Sequence, residues 1–106
     1  MKNKLYEAID VWKRVSEKQL VRYRCFRILL LNKFCVQSAD GYYLPFDEKL
    51  NRQHDKQFLE LLLENAPDKR EKTYSTLEEA IEAFEKDFQE EFGNIEESLA
   101  KERVYK

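Results

Sequence analysis

The stretch LVRYRCFRILLLNKFCVQSADGYY, residues 20–43, decides the fold. Val21, Tyr23 and Cys25 alternate with Arg22 and Arg24, the two-residue period of a strand. After Cys25 the phase changes, and Phe26, Ile28 and Leu30 continue with Arg27 between them. A phase change inside a strand marks a bulge, or burial on both faces at one end. Asn32-Lys33 breaks the run, and residues 34–39 resume it as a second strand. Asp40-Gly41 has the composition of a two-residue type I′ turn, whose central positions take positive φ. Tyr42, Tyr43 and Leu44 then form a third, shorter strand that Pro45 ends.

On the N-terminal side, Leu5, Ala8, Ile9, Trp12 and Val15 fall at helical spacing, which predicts an amphipathic helix over residues 5–19 with Asn3 or Lys4 near its cap. On the C-terminal side, Asp47 caps a second helix that carries Leu50, His54, Phe58, Leu61 and Leu62 on one face, and Asn65-Ala66-Pro67 stops it. Residues 68–72 form a charged loop, with residues 72–74 extended. Ser75 opens a capping box with Glu78. The helix behind it aligns Leu77, Ala80, Ile81, Phe84, Phe88 and Phe92 and ends at Gly93. Asn94 and Glu97 repeat the capping signal, and residues 95–106 form a polar tail prone to fraying. The expected class is α+β: an N-terminal helix, a small antiparallel hairpin or meander, then two or three helices packed on the sheet.

One domain accounts for the whole of residues 1–106. Seven Phe, six Tyr and one Trp in 106 residues call for a packed core rather than disorder. The longest apolar run, residues 28–31, is far too short to span a membrane. The basic start of the chain is followed by Glu7 and Asp10, which interrupt any signal-peptide core. A cytoplasmic setting with reduced thiols follows. Charge is polarised: residues 1–33 carry nine Lys/Arg against three Asp/Glu, and residues 75–106 carry four against ten. Such polarity either neutralises itself in the fold or serves a charged partner.

The side-chain inventory argues against most chemistries. With the hairpin turn at Asn32-Lys33, Cys25 and Cys35 sit about five residues apart along the ladder, roughly 17 Å at 3.4 Å per residue, too far for a disulfide. One His and two Cys fall short of a four-ligand metal set. His54 stands beside Asp55, but adjacent helical residues diverge and make no acid/base pair. Both glycines stand alone, so no phosphate-cradling loop exists. Glu78, Glu79, Glu82, Glu85, Asp87, Glu90 and Glu91 form the solvated face of the Phe-striped helix. No serine lies in a nucleophile elbow. No catalytic residue, metal or cofactor is expected.

The interleaved basic and aromatic residues of the first strand remain. Arg22, Tyr23, Arg24, Arg27 and Lys33, with Tyr42 and Tyr43, form the candidate partner-binding set. A protein partner is the leading expectation, met by this surface or by the acidic helix. Nucleic acid is the alternative, gripped by Arg22, Arg24, Arg27 and Lys33 with stacking on the aromatics. An edge strand that uses Arg against self-association has the same pattern. The tyrosines, Leu44 and Phe46 around Pro45 are expected to be buried between sheet and helix. The chain is expected to be a monomer or a weak homodimer.

The strings YRCF (23–26), FCVQSAD (34–40), QFLELLLENAPD (57–68) and TLEEAIEAFEKDF (76–88) resemble a family of small bacterial proteins, cyanobacterial ones among them. The resemblance covers most of the chain after the first expected helix. It implies a bacterial cytosolic setting, but no activity attaches to that family and no functional residue can be carried over from it.

Overall fold

Residues 19–28 form the central strand of a sheet because both of their faces are covered. In this computed structural model, which describes residues 3–104 and side chains through residue 100, three antiparallel strands come first. They are β1 (Tyr6–Ser16), β2 (Gln19–Ile28) and β3 (Lys33–Tyr43), in the spatial order β1-β2-β3. Four helices follow among the described residues: α1 (Glu48–Glu64), α2 (Pro67–Arg70), α3 (Leu77–Phe92) and α4 (Ile95–Val104). The architecture is α+β, and no helix is long and apolar enough to cross a membrane.

The expected N-terminal helix is instead β1. Its helical spacing left out Val11 and mixed two faces of a strand. Ile9 and Val11 point to one side and pack against the core, while Ala8, Asp10 and Trp12 point to the other and are exposed. Ile, Val, Trp and Tyr favour a pleated surface, and here β2 supplies the partner that makes one available. Tyr6 pairs with Ile28 and Arg14 with Leu20, and a two-residue turn at Glu17-Lys18 closes the hairpin.

Of the two readings of the phase change in β2, burial on both faces is the one that holds. Val21, Tyr23 and Cys25 enter the core beneath α3 and α4, with Val36, Ala80, Ile95 and Leu99. Phe26, Ile28 and Cys35 enter a second core with Tyr6 and with Phe58 and Leu62 of α1. A bulge also lies opposite this point: Arg24 pairs with Ser38 and Cys25 with Val36, leaving Gln37 as the extra residue of β3. The turn between β2 and β3 spans residues 29–32 rather than centring on Asn32-Lys33, so Cys35 sits opposite Phe26, one position from Cys25 rather than five. The two thiols are nonetheless unbridged, because they enter the cores on opposite faces of the sheet. Burial pushes each thiol up to about 12.

The Asp40-Gly41 turn does not form. Both residues continue β3, paired with Arg22 and Val21, so the second and third expected strands are one. Gly41 is there for space: a Cβ would run into the Tyr43 phenol and meet Leu99 Cβ at 3.1 Å.

Asp47 caps α1 as expected, its carboxylate accepting from Leu50 N at 3.1 Å. Pro67 at the first helical position starts α2 inside the expected loop. Tyr74 is extended and exchanges both backbone bonds with Phe34 at 2.8 Å. The α3 cap is Thr76 rather than Ser75, with Glu79 N donating to its hydroxyl at 3.1 Å. Gly93 ends the helix at φ 85, and Asn94 Oδ1 accepts from Glu97 N. The expected frayed tail is α4 through Val104, anchored by buried Ile95 and Leu99; residues 105 and 106 lie outside the described residues.

Candidate functional site

The candidate residues do not share one surface. Alternation along β2 sends Arg22 and Arg24 toward α1 and Tyr23 toward α3, and β2 is the central strand rather than an edge. Each arginine is also answered within the chain. Arg22 Nη2 donates to Asp10 at 2.7 Å and Nη1 to the Tyr42 hydroxyl at 3.1 Å, and its guanidinium lies over Trp12. Arg24, buried, donates through Nε to Asp40 at 2.9 Å and through Nη2 to Asp55 at 2.7 Å. Arg27 pairs with Glu7 at 2.6 Å, and Lys33 Nζ donates to Ser75 at 3.2 Å.

Tyr23 donates to Glu85, which also takes Lys13 Nζ, both at 2.5 Å. Glu85 therefore belongs to a partly buried cluster and not to the solvated face of α3. Burial and the Glu85 bond push the Tyr23 phenol up to about 12. Burial works against the Lys13 ammonium, but its bonds to Glu85, Tyr23 and Glu96 outweigh that and raise its pKa. Tyr43 is buried on the same face, beside Gly41. Around Pro45, Leu44 and Phe46 are exposed, which corrects the expected burial there.

His54 is a packed residue. Its Nε2 lies 3.0 Å from Gly41 O, which can only accept, so that nitrogen carries the proton. Its Nδ1 faces Asp40 Oδ1 at 3.5 Å, and its ring meets Tyr42 edge-on. Among the described residues no group of three His, Cys, Asp or Glu is placed to hold a metal ion.

Two adjoining hollows lie along the outer edge of β3. There α1 covers one face of the sheet and α3 with α4 the other, and the edge is the floor between them. A cleft of about 560 Å³ is lined by Gln37, Ala39 and His54, and by Phe88, Phe92 and Leu99 on the facing helices. A second hollow of about 300 Å³ adjoins it, sharing Phe84, Phe88 and Phe92 and adding Val36, Glu71, Asp87 and Glu91.

Strand alternation shows what the floor offers. Phe34 spends its N–H and C=O on Tyr74, outside the sheet, so its opposite number Arg27 bonds toward β1. Arg22, even-numbered on the same unbroken strand, therefore bonds toward β3 and takes Asp40. Ala39 and Gly41 then point their backbone groups outward, and the Gly41 carbonyl indeed accepts from His54. Ala39 has no strand partner among the described residues. Beside it, Gln37 donates to Phe58 O at 3.3 Å, while its Oε1 is buried with no hydrogen-bond partner.

Sequence reasoning missed this cleft. The legible signal was the Phe84, Phe88, Phe92 repeat, which runs about 12 Å along a helix at 1.5 Å per residue. The sheet covers only its start: Ala80 is buried, Phe84 and Phe88 are half-buried and Phe92 is 61% exposed. No family model, no curated protein and no solved structure matches this chain.

Proposed function

We propose that this domain is a non-catalytic protein-interaction module whose partner occupies the cleft on the outer edge of β3. The observation that carries this reading is the free strand edge at residues 36–39, set between half-exposed phenylalanines and the unanswered Gln37 oxygen. An extended segment adding to such an edge gains main-chain hydrogen bonds for affinity and side-chain pockets for specificity. The adjoining hollow carries Glu71, Asp87 and Glu91 against one cation, Lys72. The occupant is therefore an extended segment with Lys or Arg beside apolar residues, the apolar ones seated against Phe88 and Phe92. This is the acidic-helix form of the interaction reading. The basic strand contributes less to it, because its arginines already face Asp10, Asp40, Asp55 and Glu7. The same pairing weakens the nucleic-acid alternative.

A photocrosslinking residue at Phe92 tests the proposal. In native cell extract it should capture a defined protein, whereas the same group at Leu30, which is 77% exposed but remote from the cleft, should not. Phe88→Glu should abolish that capture with the helical content unchanged. Equal capture from both positions, or capture indifferent to Phe88→Glu, would overturn the reading. Retention on heparin with steep salt dependence would transfer the case to nucleic acid.

A further inference from the structure

The opposite edge of the sheet carries a separate inference, independent of the cleft. β1 runs for 11 residues with no proline, and its register shift lies only at its end, between Arg14 and Ser16. Leu29 N donates to Leu5 O, which fixes the alternation of this strand. Glu7, Ile9, Val11 and Lys13 bond to β2, while Ala8, Asp10, Trp12 and Arg14 turn their N–H and C=O groups outward. Among the described residues no backbone group meets them. Their side chains are exposed too, and Trp12 is 49% exposed. Long, regular, uncovered edges are the ones that pair with another chain.

The charges say which chain. Asp10 and Arg14 lie on the same side of β1, two positions before and two after Trp12. When an antiparallel copy is placed with the two-fold axis at Trp12, Asp10 falls opposite Arg14 of the other copy, and this occurs twice. Facing residues share a sheet face, so only registers shifted by whole pairs are open to the strand. An axis at Asp10 or at Arg14 would put like charges directly opposite, which is unfavourable. An axis at Val11 puts Asp10 opposite Trp12 and Ala8 opposite Arg14. An axis at Lys13 puts Trp12 opposite Arg14 and like-charged Lys13 opposite itself. Of these axes only the one at Trp12 sets Asp10 opposite Arg14; on the other face it places Lys13, which already pairs with Glu85 and Glu96, opposite Val11. Among the described residues Arg14 has no ion pair, and Asp10 remains 39% exposed beside Arg22.

We infer that β1 is a self-association edge, pairing antiparallel about Trp12 with a second copy of this chain to make one continuous six-stranded sheet. The contact is isologous and closes on itself, giving a dimer and not a fibre. It buries less than a standard interface, so the dimer dissociates on dilution.

Sedimentation equilibrium from about 10 µM to about 1 mM should follow a monomer–dimer equilibrium with a dissociation constant inside that range. Arg14→Glu places like charge opposite Asp10 on both sides of the axis and should weaken association at least about tenfold. Register is tested by oxidation: Trp12→Cys should form a disulfide-linked dimer. Arg14→Cys should not, because its two thiols lie about 14 Å apart at 3.4 Å per residue. The native thiols are buried and do not compete. A monomer throughout the range, an association indifferent to Arg14→Glu, or crosslinking through residue 14 in preference to residue 12 would overturn the proposal.

Discussion

Arg24 shows how one residue changes meaning between sequence and structure. On the strand it reads as a charge offered to solvent or to phosphate. In the fold its guanidinium is buried between Asp40 and Asp55 and lies 4.7 Å above the Phe58 ring centroid. Removing it would strand the Asp40 carboxylate, itself 5% exposed, without its guanidinium partner. Arg24→Ala should therefore destabilise by about 3–5 kcal/mol, measured by urea unfolding. Arg24→Met combined with Asp40→Leu should recover much of that loss; a single-variant cost below about 1 kcal/mol would show that the pair is not the anchor. Gly41 makes the complementary case, in which absence of a side chain is the requirement. Gly41→Ala should cost about 1–3 kcal/mol, because both the Tyr43 phenol and α4 must move. An unchanged midpoint would argue that α4 yields freely.

At the scale of elements, the short helix α2 tethers the start of the chain. Asp68 accepts from Lys4 Nζ at 2.7 Å and from the Tyr6 hydroxyl at 2.8 Å. The Lys4 bond leads in holding the Asp68 carboxyl below its usual range, with burial opposing it. A folded pKa below the unfolded one gives stability that is present above the unfolded value, near 4, and lost as pH falls through the folded value. Asp68→Asn should thus cost about 1 kcal/mol at neutral pH, with the difference from wild type closing below about pH 4. A gap that persisted at lower pH would assign the effect to packing and not to charge. Burial raises the Tyr6 phenol to about 12, with the Asp68 bond adding to it, so this partner stays protonated throughout.

Over the whole molecule, the basic charge of the first third of the chain is largely answered internally, whereas of the acidic residues at 75–100 only Glu85 and Glu96 take ion pairs among the described residues. Lys13 reaches Glu85 and Glu96, Lys4 reaches Asp68, and the strand arginines take carboxylates from β1, β3 and α1. Two cores share one sheet, and each holds one thiol. With both thiols held near 12 by burial, neither forms thiolate at pH 8 without opening of the fold. Cys25 and Cys35 should therefore react with a thiol reagent at one common rate set by global unfolding. A faster Cys35 would show that α1 lifts from its face of the sheet independently of α3 and α4.

The sequence by itself determined the α+β class and the strand that begins near residue 20 with its double-sided burial, though not its end at Ile28. It also determined α1 with its Asp47 cap and the Phe-striped α3 that stops at Gly93. These signals are local: a period, a cap, a glycine at positive φ. Tertiary structure decided the rest. Residues 6–16 match helical spacing and strand alternation at once, and only the hydrogen-bonding edge of β2 chose between them. Asp40-Gly41 has turn chemistry, but pairing with Arg22 and Val21 and the close approach of Tyr43 and Leu99 hold it in a strand. The turn at residues 29–32 set the register that puts Cys35 beside Phe26, on the face opposite Cys25. Nothing local encodes the β3 cleft or the outward groups of β1, because an edge exists only once the sheet has an order. Charge pattern announced that Arg22, Arg24 and Arg27 would find partners, and long-range packing decided that those partners are carboxylates of the same chain.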